Sequence, residues 1–411
     1  MSKIKPVHLF QQPFAVENDS LMPGGIPLER LAMRVGKTPF YAYDRHLLRE
    51  RVRWLKDQLP QRLSLHYAMK ANPMPAVVHT MAELLDGLDV ASAGELRVAL
   101  DTGMDPRHIS FAGPGKRDDE LLCAIASGIL INVESPHELE RIAQIARHAK
   151  LPARIAIRVN PEFELKASGM KMTGGPKPFG IDTDQVPGVL AHVGALGLVF
   201  EGFHIFSGSQ NLRHEAIIEA QSKALELAVE LSRHAPAPVR SLNIGGGFGI
   251  PYFPGESALN LSPITEHLAQ LVTQSKSRLP QAQLVIELGR YLVGEAGIYV
   301  CQIIDRKISK GEVFLVTDGG LHHHLAASGN FGQVIRKNYP VVIGNKVQGQ
   351  QREIASVVGP LCTPLDLLAD KMELAKADVG DYVVVFQSGA YGRSASPAGF
   401  LSHPAVVEVL V

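Results

Sequence analysis

Short apolar runs recur along most of the chain, and stretches with helical spacing lie between them. The clearest run is Leu65-His66-Tyr67-Ala68-Met69-Lys70-Ala71-Asn72-Pro73. In it Leu65, Tyr67 and Met69 alternate, and the run stops at Asn-Pro, which favours a turn. Further strands are expected at residues 40–43, 89–92, 109–113, 130–133, 155–160, 200–207, 242–244 and 284–287. Helical patterns run over residues 45–59 and 75–85, from about residue 93, over residues 121–127, and after Glu134-Ser135-Pro136. Strands alternating with helices make βαβ units and a parallel sheet. About eight such units fit before residue 290, the usual size of a (β/α)8 barrel. An open doubly wound sheet is the alternative, weakened because no GxGxxG follows the first strand.

Beyond about residue 295 helical periodicity is scarce, apart from a short stretch near Leu367. Strands are expected there at residues 298–304, 313–317, 341–343, 354–358 and 382–386. Residues 1–36 read as irregular, broken at Pro23-Gly24-Gly25-Ile26-Pro27. The fold expected is therefore α/β. Residues 1–36 form an N-terminal segment packing on the β-domain, residues 37–290 the barrel, and residues 291–411 a C-terminal antiparallel β-domain.

Composition narrows the function. The chain of 411 residues is 45% hydrophobic and 20% charged, with Lys+Arg and Asp+Glu both 41. A formal net charge of zero argues against a nucleic-acid partner. No apolar run is long enough to span a membrane, and the N-terminus lacks the apolar core of a signal peptide. Cys123, Cys301 and Cys362 are odd in number and widely spaced, which fits a reducing cytoplasm better than a disulfide framework.

Candidate chemistry gathers at strand ends, where parallel α/β proteins bind ligands. Lys70 stands where its strand runs out; a lysine there is either an ordinary surface residue or a nucleophile for a carbonyl cofactor. Gly245-Gly246-Gly247-Phe248-Gly249 follows a strand and offers backbone N–H groups to a phosphate, or makes a tight turn. Ser207-Gly208-Ser209-Gln210 offers hydroxyls and N–H groups in the same way. Glu287-Leu288-Gly289-Arg290 puts a carboxylate and a guanidinium at a strand end, for a ring nitrogen and an anion or as a structural ion pair. Cys362 lies in a Pro-flanked loop and is either a proton donor or a small hydrophobe. Tyr391 sits between glycines near the C-terminus. His322-His323-His324 would point to alternate faces of a strand, so no metal site is expected.

Taken in order, these motifs resemble the fold type III pyridoxal-phosphate decarboxylases, the diaminopimelate, ornithine and biosynthetic arginine decarboxylases. The diaminopimelate enzymes are nearest. The landmarks are Tyr67-Ala68-Met69-Lys70-Ala71-Asn72, Asp89-Val90-Ala91-Ser92-Ala93-Gly94-Glu95, Arg158-Val159-Asn160-Pro161, Gly208-Ser209-Gln210, Gly245-Gly246-Gly247, Glu287-Leu288-Gly289-Arg290, Gly359-Pro360-Leu361-Cys362 and Gly389-Ala390-Tyr391-Gly392. The resemblance implies an alanine-racemase-like barrel and pyridoxal 5'-phosphate held by Lys70 as a Schiff base. It further implies that Glu287 binds the pyridine nitrogen, and that Ser209, Gly246, Gly247, Gly289, Arg290 and Tyr391 surround the phosphate and ring. Cys362 would cross from the second subunit of a homodimer and reprotonate the product carbon.

Three departures bear on the substrate. The histidine that stacks on the cofactor in the family is Phe206 here, with His204 on the same strand face, so either ring is a candidate to stack. The diaminopimelate enzymes carry Arg-Pro-x-x-Tyr after their Asp-Gly-Gly; here Leu321-His322-His323-His324-Leu325 follows Asp318-Gly319-Gly320. Their Cys-Glu is Cys362-Thr363. Both charges that read a distal amino-acid end are thus missing. The expectation is a decarboxylase for an amino acid or amino-acid conjugate other than free diaminopimelate, with a carrier protein as a candidate partner. The alternatives are diaminopimelate decarboxylase itself, an amino-acid racemase, against which Glu287 argues, and a non-catalytic cofactor-binding protein.

Overall fold

A computed structural model describes residue 8 and residues 13–163, 170–171, 174–333 and 335–411. The expectations for residues 1–7 and 9–12 lie outside it. The chain forms two compact units: one of residues 51–250 and 257–291, the other of residues 1–50, 251–256 and 292–411.

The first unit is the barrel. Its strands are β1 (Ser64–Ala68), β2 (Gly87–Val90), β3 (Ile109–Phe111), β4 (Leu130–Val133), β5 (Arg154–Asn160), β6 (Val199–His204), β7 (Ser241–Gly246) and β8 (Gln283–Leu288). Each pairs in parallel with the next, and β8 pairs with β1, so the sheet closes on itself. Strands covered on both faces read as unbroken apolar runs, which is why β5, with Ile155, Ala156, Ile157 and Val159 all buried, was easy to see. Helices follow the strands, among them Pro75–Leu84, Ala93–Asp101, Asp118–Ser127 and Pro136–Ala149. Local chemistry starts them. The Ser92 hydroxyl accepts from the Glu95 N–H at 3.2 Å, and the Ser135 hydroxyl from the Glu138 N–H at 3.1 Å.

The second unit is mostly antiparallel. Gly297–Ser309 pairs antiparallel with Glu312–Thr317, Tyr382–Val385 and Phe40–Tyr43, whereas Glu312–Thr317 and Arg352–Val358 run parallel. Three expectations need correction. The strand Phe40–Tyr43, read as the start of the barrel, belongs to this unit, held also by parallel pairing with Val407–Leu410. Residues 28–35 are not irregular: Leu28–Val35 is a helix, with Leu28, Leu31 and Ala32 buried against Ile298, Val300 and Val384. It ends at Gly36, whose φ of 86° closes a helix as few other residues can. The stretch near Leu367 is the strand Leu367–Ala375, not a helix. Its Leu, Ala, Lys, Met and Glu favour helices, but antiparallel pairing with Arg352–Val358 overrides propensity, and a bulge at Lys371, φ 49°, hides the period of two.

Candidate active site

Strand order sets the site. The carboxyl ends of β1, β6, β7 and β8 are neighbours in the closed sheet, although they come from four distant parts of the chain. β1 ends at Ala68, and a 3₁₀ turn, Met69–Ala71, carries Lys70. Asn72 fixes this turn: its side-chain oxygen accepts from the Met74 N–H at 3.1 Å, and its carbonyl accepts from the Tyr67 hydroxyl at 2.9 Å. Gly289, just after β8, lets the turn come close, since a Cβ there would stand 2.9 Å from both the Ala68 carbonyl and Ala71 Cβ. Lys70 itself is exposed, and its Nζ lies 5.4 Å from the centre of the Phe206 ring.

Glu287 is buried near the end of β8. Its Oε2 accepts from His204 Nε2 at 3.0 Å and from Asn243 Nδ2 at 2.9 Å. Burial alone would push its carboxyl up; the charge and hydrogen bond of His204, with the charges of Lys70 and Arg158, outweigh that and hold it at about 2. The carboxylate is therefore ionised. His204 is committed to this bond, whereas Phe206 lies beside Lys70.

The glycine run departs from β7. Gly245 and Gly247 have φ of 70° and 78°. A Cβ on Gly246 would fall 2.3 Å from the Glu287 carbonyl. The loop after β6 packs on the run, with the Asn211 N–H donating to the Gly247 carbonyl at 2.9 Å and the Gly249 N–H to the Asn211 carbonyl at 2.9 Å. Ser209 is half-buried in that loop, and Arg290 opens the short helix after β8. Lys70, His204, Phe206, Ser209, Gly246, Gly247, Glu287, Gly289 and Arg290 thus share one end of the barrel.

Asn243 was given no role from the sequence, and Arg158 only a place in the Arg158-Val159-Asn160-Pro161 motif. Asn243 ties Glu287 to the glycine run, for its Oδ1 accepts from the Gly245 N–H at 2.8 Å. Arg158, buried in β5, donates to Glu134 Oε1 at 2.7 Å. Behind this pair, Lys116 Nζ reaches Glu138 Oε1 at 2.6 Å and the carbonyls of Gly113 and Asn132 at 2.8 Å each. The available signal was a charged or amide residue inside an otherwise apolar strand, as in Arg158 and Asn243.

Cys362 and Tyr391 belong to the other unit. Cys362 is exposed, in a loop tied to the histidine loop by one carboxylate. Asp366 accepts from the Leu321 N–H at 2.6 Å and the Leu361 N–H at 2.8 Å. The three histidines lie in a turn rather than on a strand, the N–H groups of His323 and His324 both donating to the Gly320 carbonyl. Burial drives His324 down to about 3 and His322, beside His323 and His403, to about 4. Tyr391 is half-buried with φ of 53°.

An exposed lysine, an aromatic flank, a buried carboxylate and a glycine cradle with no room for a Cβ together suit a phosphorylated aldehyde with a basic ring nitrogen. Residues 45–294 match the family model described as pyridoxal-dependent decarboxylase, pyridoxal binding domain. The chain belongs to this family of ornithine, arginine and diaminopimelate decarboxylases. It is a pyridoxal-phosphate-dependent carboxy-lyase acting on amino acids or amino-acid conjugates. It is 38% identical to the L-glutamyl-[BtrI acyl-carrier protein] decarboxylase of Niallia circulans, over 91% of this chain and 89% of that one. It is 34% identical to the diaminopimelate decarboxylase of Aquifex aeolicus, over 94% and 89%. The crystal structure of diaminopimelate decarboxylase from Helicobacter pylori complexed with L-lysine superimposes with a TM-score of 0.82, at 28% identity over 93% and 94%.

Proposed function

We propose that the substrate is an amino acid conjugated through its distal end, delivered on a carrier protein, and that free diaminopimelate is not the physiological substrate. One observation carries this reading. The loop of residues 321–327 offers no charge at neutral pH, because His322 and His324 are held neutral by burial and the rest are Leu, Ala or the similarly lowered His323. An uncharged loop, where the diaminopimelate enzymes carry Arg-Pro-x-x-Tyr, suits an amide or thioester. A free ammonium and carboxylate would be desolvated there without partners, at a cost of roughly several kcal/mol. The carrier-protein decarboxylase of Niallia circulans supports the same direction.

When bound, the cofactor supplies an electron sink for the carbanion left as CO₂ departs. The residues of this chain hold and orient. Lys70 anchors the aldehyde, Phe206 flanks the ring, and Glu287, ionised, keeps the ring nitrogen protonated. The N–H groups of the glycine run, with Ser209 and Arg290, hold the phosphate. Cys362, from the second subunit of a homodimer, returns a proton to the carbon that lost CO₂. Three free thiols fit a reducing cytoplasm, and no helix among the described residues is long and apolar enough to cross a membrane.

The test is CO₂ release from cofactor-loaded protein, comparing glutamyl thioesters of N-acetylcysteamine and of a carrier protein with free glutamate and meso-diaminopimelate. A kcat/KM for a conjugate exceeding that for diaminopimelate by about a hundredfold or more is expected, roughly 2.7 kcal/mol at 1.36 per decade. Thr363→Glu should narrow the gap in part. Efficient decarboxylation of diaminopimelate by the unaltered protein would instead favour the diaminopimelate reading, which the Aquifex aeolicus relative supports.

A further inference from the structure

One buried amide joins two ends of the candidate site. Asn243 lies within β7 and is buried. Its Oδ1 accepts from the Gly245 N–H at 2.8 Å. A backbone N–H can only donate, so this bond fixes which way the amide faces and leaves Nδ2 to donate. Nδ2 does so, to Glu287 Oε2 at 2.9 Å. The same oxygen takes the His204 Nε2 bond at 3.0 Å, and Oε1 makes no hydrogen bond among the described residues. Gly245 is the hinge of the glycine run. It adopts φ of 70°, and a Cβ there would stand 3.1 Å from the Phe206 ring. A shift of the run therefore moves the amide, and a shift of the amide turns the carboxylate.

We propose that Asn243 is a positioning residue that couples anion binding on the glycine run to the orientation of the Glu287 carboxylate. The proposal rests on the reading in which the run takes the cofactor's phosphate and Glu287 its ring nitrogen. An anion accepting the N–H groups of Gly247 and Phe248 settles the run. Asn243 then holds Oε2 inward and leaves Oε1 for the ring. His204 still supports the carboxylate when the run is empty, so the ring binds without the anion, but less tightly. By linkage the effect is reciprocal: a bound ring tightens the anion by the same factor.

The experiment splits the cofactor into two probes, pyridoxal and inorganic phosphate. The dissociation constant of pyridoxal from cofactor-free protein is read by absorbance, with and without saturating phosphate. Phosphate should tighten pyridoxal about five- to tenfold in the native protein, within the usual range of coupling between sites. Asn243→Leu, which loses both bonds, and Asn243→Asp, which keeps the acceptor for Gly245 but not the donor to Glu287, should bring that ratio to about one. His204→Gln keeps an N–H for Glu287 and leaves the amide path intact, so it should retain the coupling; a general loosening of Glu287 would not spare it. The two Asn243 variants disturb the fold differently, so one that fails to fold leaves the other to decide. Native-like coupling in a folded Asn243 variant, or no coupling in the native protein, overturns the proposal. If borohydride fails to fix pyridoxal phosphate on Lys70, it is the cofactor assignment that falls.

Discussion

Burial of His324 makes the β-unit sensitive to acid. Its Nε2 lies 2.9 Å from the Ser388 hydroxyl, and its Nδ1 accepts from the Ala327 N–H at 3.2 Å, so the ring has no room for a second proton. Burial lowers it from 6.5 to about 3. Between those values the unfolded chain binds a proton that the folded protein refuses. Stability is therefore full above about pH 6.5, falls as the pH drops, and has lost this whole contribution by about pH 3. At about pH 5 the loss is about 1.5 units at 1.36 kcal/mol each, or about 2 kcal/mol. His324→Gln removes the titrating group. Urea unfolding of both proteins at about pH 7.5 and about pH 5 should show the unaltered one losing about 2 kcal/mol more than the variant, with other titrating groups cancelling in the comparison. Equal losses would mean that His324 takes up its proton while folded, and that burial does not exclude it from the ring.

Borohydride reduction of the cofactor-loaded protein should place the label on Lys70, as peptide mass spectrometry would read; a label on another lysine would refute the assignment. Glu287→Gln should still bind cofactor but lose about a hundredfold or more in kcat, because an amide holds the ring proton poorly; near-normal turnover would end the electron-sink role. Lys70→Ala and Cys362→Ala subunits, each nearly inactive, should regain activity when mixed, since a heterodimer rebuilds one complete site. Silence despite proven subunit exchange would argue against a site shared between subunits.

The barrel was legible because its strands are covered on both faces, so Ile155, Ile157 and Val159 announce themselves without tertiary knowledge. Lys70 and Glu287 stood out as polar residues where apolar runs stop, but only the family resemblance gave them roles. What stayed hidden depends on partners distant in sequence. Phe40–Tyr43 reads equally well as a barrel strand, and only pairing with residues 297–300 assigns it. Leu367–Ala375 carries helix-forming side chains and a bulge, so neither propensity nor period gave it away. Asn243 and His204 acquire their roles only when β6, β7 and β8 become neighbours, a fact no local window contains. His204 could be placed on the right face from its spacing; that it would spend Nε2 on Glu287 could not.

The strand Val407–Leu410, laid along Phe40–Tyr43, has a consequence for how the protein is made. Every strand of the barrel has been synthesised before Leu292 is added, and domains generally fold as units during synthesis. The β-unit must wait, because its strand Phe40–Tyr43 takes as its neighbour Val407–Leu410, which is made after its other strands. For that interval Phe40–Tyr43 presents an unpaired edge, the kind of surface that recruits strands from other nascent chains. A chain cut just before Val407 would spare the barrel and its lysine and leave that edge open.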